Sequence, residues 1–146
     1  MRTNRQFVYI PAAIFLALAL AGCHPRMDAM ATAEKVFIKK IDKAAGKLEL
    51  NADQMAKLEQ LKLDVRKNFQ EGQAEHKEAM AKIREEGMKE NPDIQKMTSL
   101  LQQSLRAETE RINKAFDLML DYQKNLNENQ KKKLGQIISE KIRKWD

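Results

Sequence analysis

Few side chains in this 146-residue chain are equipped for chemistry. It has one cysteine, Cys23, and two histidines, His24 and His76. A single thiol forms no internal disulfide, but it can carry an acyl group. His76 has a spaced acidic companion. If the chain folds back about Asn91 and Pro92, position i faces roughly position 183 minus i. His76 then lies opposite Ala107 and Glu108, and Met80 stands one helical turn from His76. A histidine, a carboxylate and a thioether are the donor types that take zinc or copper. His76, Glu108 and Met80 are therefore a candidate metal site, which with one histidine would need further ligands from a second copy. The plainer alternative is a histidine and carboxylate pair that fixes the register of two helices, with Gln73 adding to the polar layer.

Cys23 stands in a setting that explains it. Arg2 and Arg5 form a short positive head, residues 7–20 are apolar, and Leu20, Ala21 and Gly22 lead into Cys23. Head, apolar run and small residues are the parts of an export signal. About 14 residues of helix rise roughly 21 Å, short of a hydrocarbon core of about 30 Å. The Leu-Ala-Gly-Cys string resembles the lipobox of bacterial lipoproteins, which implies cleavage between Gly22 and Cys23 and a palmitate-type acyl anchor on Cys23. His24, where that sorting pattern uses aspartate for inner-membrane retention, implies the outer membrane, facing the periplasm. The expected organisation is a signal peptide over 1–22, a lipidated tether over 23–31 and a helical domain over 32–146.

Without Arg2 and Arg5, the 27 basic residues fall to 25 against 21 acidic, a net charge near +4. The charges are interspersed and no nucleic-acid motif occurs, so nucleic acid is not an expected partner. With Cys23 committed to lipid, no nucleophile has a matched base, and no Walker A loop is present. The sequence thus predicts neither an enzyme nor an ATP-driven machine.

The elements that must position these residues are helices. After Pro25 the only proline is Pro92, and Ala, Leu, Glu, Lys, Gln and Met dominate. Apolar residues at helical spacing predict a first helix over about 32–48 through Phe37, Ile41 and Leu48. A second is predicted over 52–90 through Leu58, Leu61, Val65, Phe69, Met80 and Ile83. Asn91 and Pro92 then break the pattern. A third stripe runs through Ile94, Met97, Leu101, Leu105, Ile112, Phe116 and Met119, and a fourth through Leu134, Ile137, Ile138 and Ile142. The fold class is all-α, with a long antiparallel central hairpin. Such a hairpin buries little core alone, so a homodimer is expected.

Two strings recur 76 residues apart: Leu50-Asn51-Ala52-Asp53-Gln54 and Leu126-Asn127-Glu128-Asn129-Gln130. Each reads as a capping box, with asparagine accepting from a backbone amide three residues on and glutamine reaching back. Leu50 is placed to staple onto Met55. The paired Leu-Asn-x-x-Gln strings, followed by Lys131, Lys132 and Lys133 and a basic helix with Lys141 and Arg143, resemble the periplasmic Spy/CpxP family. That family has a twice-occurring Leu-Thr-x-x-Gln motif and includes relatives of the metal-responsive ZraP and CnrX proteins. The resemblance implies a cradle-like homodimer that holds unfolded envelope proteins without ATP, or signals to an envelope-stress sensor. Alternatives are heavy-metal binding or sensing, and a structural lipoprotein with one partner. Met88 near the hairpin turn, with Lys131, Lys132, Lys133, Lys141 and Arg143, is the expected client-binding set.

Overall fold

The computed structural model describes residues 27–143. Four α-helices account for nearly all of them, in the order α1 (Met27–Ala45), α2 (Ala52–Gly87), α3 (Ile94–Tyr122) and α4 (Glu128–Ile142). A 3₁₀ turn, Gln123–Asn125, joins α3 to α4. No strand occurs among the described residues.

The 36 residues of α2 and 29 of α3 form the antiparallel hairpin, α2 rising about 54 Å. The second helix ends at Gly87 rather than Glu90. The next amide, on Met88, still bonds back to Arg84 and Glu85, 3.1 and 3.3 Å away. Asp93 then restarts helix as an N-cap, its carboxylate accepting from Lys96 N at 2.9 Å. Pro92 lies outside both helices, where its missing N–H costs nothing.

One buried carboxylate closes the turn. Glu86 is 4% exposed. Its Oε2 lies 2.8 Å from Lys89 Nζ and 2.8 Å from Lys96 Nζ. The hydrogen bonds from Lys89 and then Lys96 hold the Glu86 carboxyl down at about 2 against an ordinary 4.5, outweighing its desolvation. The same contact raises Lys96 above its usual value.

At the other end α1 lies against α2 and α3. Phe37 meets Phe69 at 5.4 Å and Phe116 at 5.2 Å between ring centroids. Both contacts are tilted or edge-on, the favoured aromatic geometry. Around them Met30, Ile41, Leu58, Leu61, Val65 and Ala115 are buried. Met30 extends the first apolar stripe by two turns. Met27, the first described residue, is already helical, inside the span expected to be tether, and Met30 and Ala33 are packed on the core.

The third stripe sits differently from expectation. The buried residues of α3 are Met97, Ser104 and Ala115, while Ile94, Phe116 and Leu120 are each more than half exposed. Small or polar residues face α2 because the hairpin is close there. A Cβ on Gly72 would stand 3.1 Å from Arg111 Cγ. The larger residues Ile94, Leu101, Leu105, Ile112, Phe116 and Met119 are turned to one flank, spread over an arc of roughly 60°. Near Ile112 and Phe116 the flank is covered in part by α1.

Candidate functional site

Both capping boxes form. Asn51 Oδ1 accepts from Gln54 N at 2.9 Å, and Gln54 Oε1 accepts from Asn51 N at 3.0 Å. The second box repeats this with 2.9 Å for each bond between Asn127 and Gln130. Asparagine suits the N-cap because its backbone is extended, with ψ of 174° at Asn51 and 169° at Asn127.

The strings, however, do more than start two helices. Gln54 Nε2 donates to Gln130 Oε1 at 2.9 Å, and Gln130 Nε2 donates to Gln54 Oε1 at 3.0 Å. The second hydrogen of each amide goes to backbone: Gln54 to Asn125 O at 2.8 Å, Gln130 to Leu48 O at 3.2 Å. Both donors and the carbonyl of each side chain are thus used, at 6% and 8% exposure. Tyr122 adds a bond from its hydroxyl to Gln54 O at 3.1 Å, and burial pushes that phenol above its usual pKa. Leu126 is buried and Leu50 packs on the core. Met55, the expected staple partner of Leu50, is 44% exposed. The result is a clasp joining the starts of α2 and α4 to the α1–α2 loop. That loop turns through Glu49, whose φ of 52° is left-handed.

Beyond the clasp α4 touches the rest of the fold sparsely. Leu134 and Ile137 are half-buried, Ile138 is 51% exposed, and Lys132, Lys141 and Arg143 are exposed. Lys131 pairs with Glu128 at 2.8 Å and Lys133 with Glu49 at 3.1 Å. Met88, 77% exposed, lies at the hairpin turn. It is 34 residues beyond Gln54 along α2, about 50 Å away. The residues expected to form one client-binding set therefore lie at opposite ends of the molecule.

The waist of the hairpin holds the other candidate. His76 Nδ1 stands 2.7 Å from Glu108 Oε1 and 3.1 Å from Ser104 Oγ. The Glu108 contact is a close polar approach without hydrogen-bond alignment, and His76 Nε2 has no partner among the described residues. A cavity of about 220 Å³ adjoins the pair and is lined also by Gly72, Glu78 and Gln103. Met80, half-buried, is not among the residues lining that cavity. Among the described residues no three His, Cys, Asp or Glu side chains converge as a metal cluster. One turn away Arg111 binds Glu71 at 2.7 Å and also Glu75, while Asn68 Nδ2 donates to Arg111 O at 2.7 Å. Gly22 and Cys23 lie outside the described residues.

The spacing of the two strings and the clasp between them are the features a comparison can test. The model of the LTXXQ motif family matches residues 37–138, a span that includes both strings. The chain belongs to the LTXXQ motif family. It carries the family's motif with asparagine in place of threonine at Asn51 and Asn127, and the clasp accounts for the retained leucine and glutamine. Comparison with curated proteins and with solved structures gave no match.

Proposed function

We propose that this LTXXQ family protein is a lipid-anchored, ATP-independent chaperone or stress adaptor of the cell envelope, of Spy/CpxP type. It binds unfolded or misfolded proteins on the apolar flank of α3. The observation that supports this is the flank itself. Ile94, Phe116 and Leu120 are 52%, 51% and 54% exposed on a helix whose buried line is Met97, Ser104 and Ala115. An exposed apolar strip of this length on a soluble domain marks an interaction surface. Its occupants are apolar client segments or, in a homodimer, a second copy of the chain. Cys23 carries the anchor and the protein works in the periplasm beside the outer membrane. No step of this function requires a cofactor or catalysis.

The test is aggregation of a chemically unfolded model protein with and without stoichiometric amounts of the purified protein. Suppression supports the reading, and equal aggregation contradicts it.

A second reading, metal binding, is favoured by one observation. A histidine that gives its Nδ1–H to a carboxylate keeps Nε2 as the donor atom, the arrangement common in metal sites. His76 Nδ1 stands 2.7 Å from Glu108 Oε1, near that form though without hydrogen-bond alignment, and its buried Nε2 has no partner among the described residues. Glu108 is then the residue that orients the ring, and further ligands come from a second copy. Calorimetric titration with zinc and with copper separates this reading from the first: no heat at micromolar metal removes it.

A further inference from the structure

One face of α1 has an uneven charge distribution that the chaperone reading does not use. Lys35, Lys39, Lys40 and Lys43 are exposed, and Lys47 follows in the turn. On a helix turning about 100° per residue, the first four share an arc of roughly 140° opposite Met30, Phe37 and Ile41. Val36, 42% exposed, lies within that arc. Of the acidic residues near it, Glu34 lies well outside the arc and Asp42 at its edge, where both share a cleft with Lys35 and Lys39. Asp42 pairs with Lys62 of α2 at 2.9 Å, and Glu34 lines a cleft with Arg66 of α2. None of the five lysines has an ion-pair partner among the described residues, whereas Lys57, Lys62, Lys82, Lys89, Lys96, Lys124, Lys131 and Lys133 all do. Between Lys35 and Lys43 that arc of α1 thus carries four lysines and no acidic residue.

Its position along the chain says what it faces. Met27, the first described residue of α1, stands four residues beyond Cys23 in the sequence. Four residue steps reach at most about 14 Å. Starting that close to an acylated cysteine, α1 brings its lysines within the Debye length of about 8–10 Å only when it lies along the bilayer surface.

We propose that the outer face of α1, through Lys35, Lys39, Lys40 and Lys43, docks on an anionic lipid surface. The proposal rests on anchoring at Cys23. Clustered lysines beside a membrane attachment supply the second contact that a lipid chain needs for stable, oriented binding. Docking through α1 sets the orientation of the hairpin on the bilayer, with the side of the fold opposite α1 left toward solvent.

The test uses the processed protein isolated from membranes and reconstituted into phosphatidylcholine vesicles, with and without phosphatidylglycerol. Lysine acetylation is read residue by residue by mass spectrometry, with Lys82 at the far part of α2 as internal reference. The expected result is a several-fold drop in labelling of Lys35, Lys39 and Lys43 on anionic vesicles only. High salt should reverse it, and a Lys35→Gln/Lys39→Gln/Lys43→Gln variant should show no shift at Lys40. Equal labelling on both vesicles overturns the proposal while leaving the anchor intact. Failure to float with either vesicle overturns both. Protection by an unfolded acidic polypeptide without vesicles, and none on vesicles, overturns it in favour of a client-binding face.

Discussion

Gln54 and Gln130, 76 residues apart in sequence, exchange a pair of amide hydrogen bonds of 2.9 and 3.0 Å while each caps its own helix. Neither amide has a spare donor, so loss of one glutamine strands groups belonging to the other. Buried unsatisfied polar groups cost about 1–3 kcal/mol each. Gln54→Ala and Gln130→Ala are each expected to destabilise the fold by about 2–3 kcal/mol. The double variant should cost less than their sum, with a coupling of about 1 kcal/mol or more. Urea denaturation of the four proteins measures it. Strict additivity would mean two independent caps.

The pin at the hairpin turn depends on pH in a definite direction. Glu86 is held at about 2 in the folded protein against 4.5 for the free group. A depressed carboxyl stabilises the fold fully above about pH 4.5, and the contribution is lost as pH falls from there through 2. The protection factors of the amides from Met88 to Lys96, observed rates divided into the intrinsic rates at each pH, should fall over that window in the wild type. In Glu86→Gln they should already be low at neutral pH and change little on acidification.

At the waist, His76 and Glu108 are a buried polar pair whose partners are incomplete. His76→Leu leaves the Glu108 carboxylate, 16% exposed, without its neighbour and should cost about 1–3 kcal/mol. Leucine at both positions removes the stranded group and should recover most of that loss, as hydrophobic replacement of buried pairs often does. Thermal unfolding of the two variants tests the order of stabilities.

Glu49 occupies a left-handed backbone with φ of 52°, a region that costs a residue with a Cβ about 1 kcal/mol or more. Its ion pair with Lys133 is 89% exposed on the Glu49 side and so contributes little. Glu49→Gly is expected to raise stability by about 0.5–1 kcal/mol, read as a higher urea midpoint at unchanged slope.

Much of the architecture is legible in the residues themselves. The apolar spacing yields four helices, Asn91 and Pro92 locate the turn, and simple antiparallel counting puts His76 beside Glu108. The capping boxes follow from short local strings. What local pattern does not reveal is how two such strings meet, because a glutamine that caps its own helix has a free amide whose destination is set by the tertiary fold. The rotation of α3 is hidden for a related reason. Hydropathy marks Phe116 and Ile94 as core, but the close approach at Gly72 and Arg111 demands small side chains against α2, and Ser104 and Ala115 take those places. Glu86 reads as a surface charge until Lys89 and Lys96 are seen to converge on it. The part of α1 before Ala33 is hard to read in the sequence because Met30 and Ala33 are separated from Phe37 by a charged pair, Glu34 and Lys35, that sits on other faces.

The central claim is that unfolded chain is held on the flank of α3. It is tested most directly by a photo-crosslinking residue placed at Ile94, at Leu120 or at Leu63, which are 52%, 54% and 55% exposed. Equal exposure makes the comparison one of position alone, Leu63 lying on the far side of α2 from its buried line. With an unfolded model protein present, strong crosslinks to it from Ile94 and Leu120 and few from Leu63 are predicted. Equal yields at all three, or a maximum at Leu63, would contradict the account.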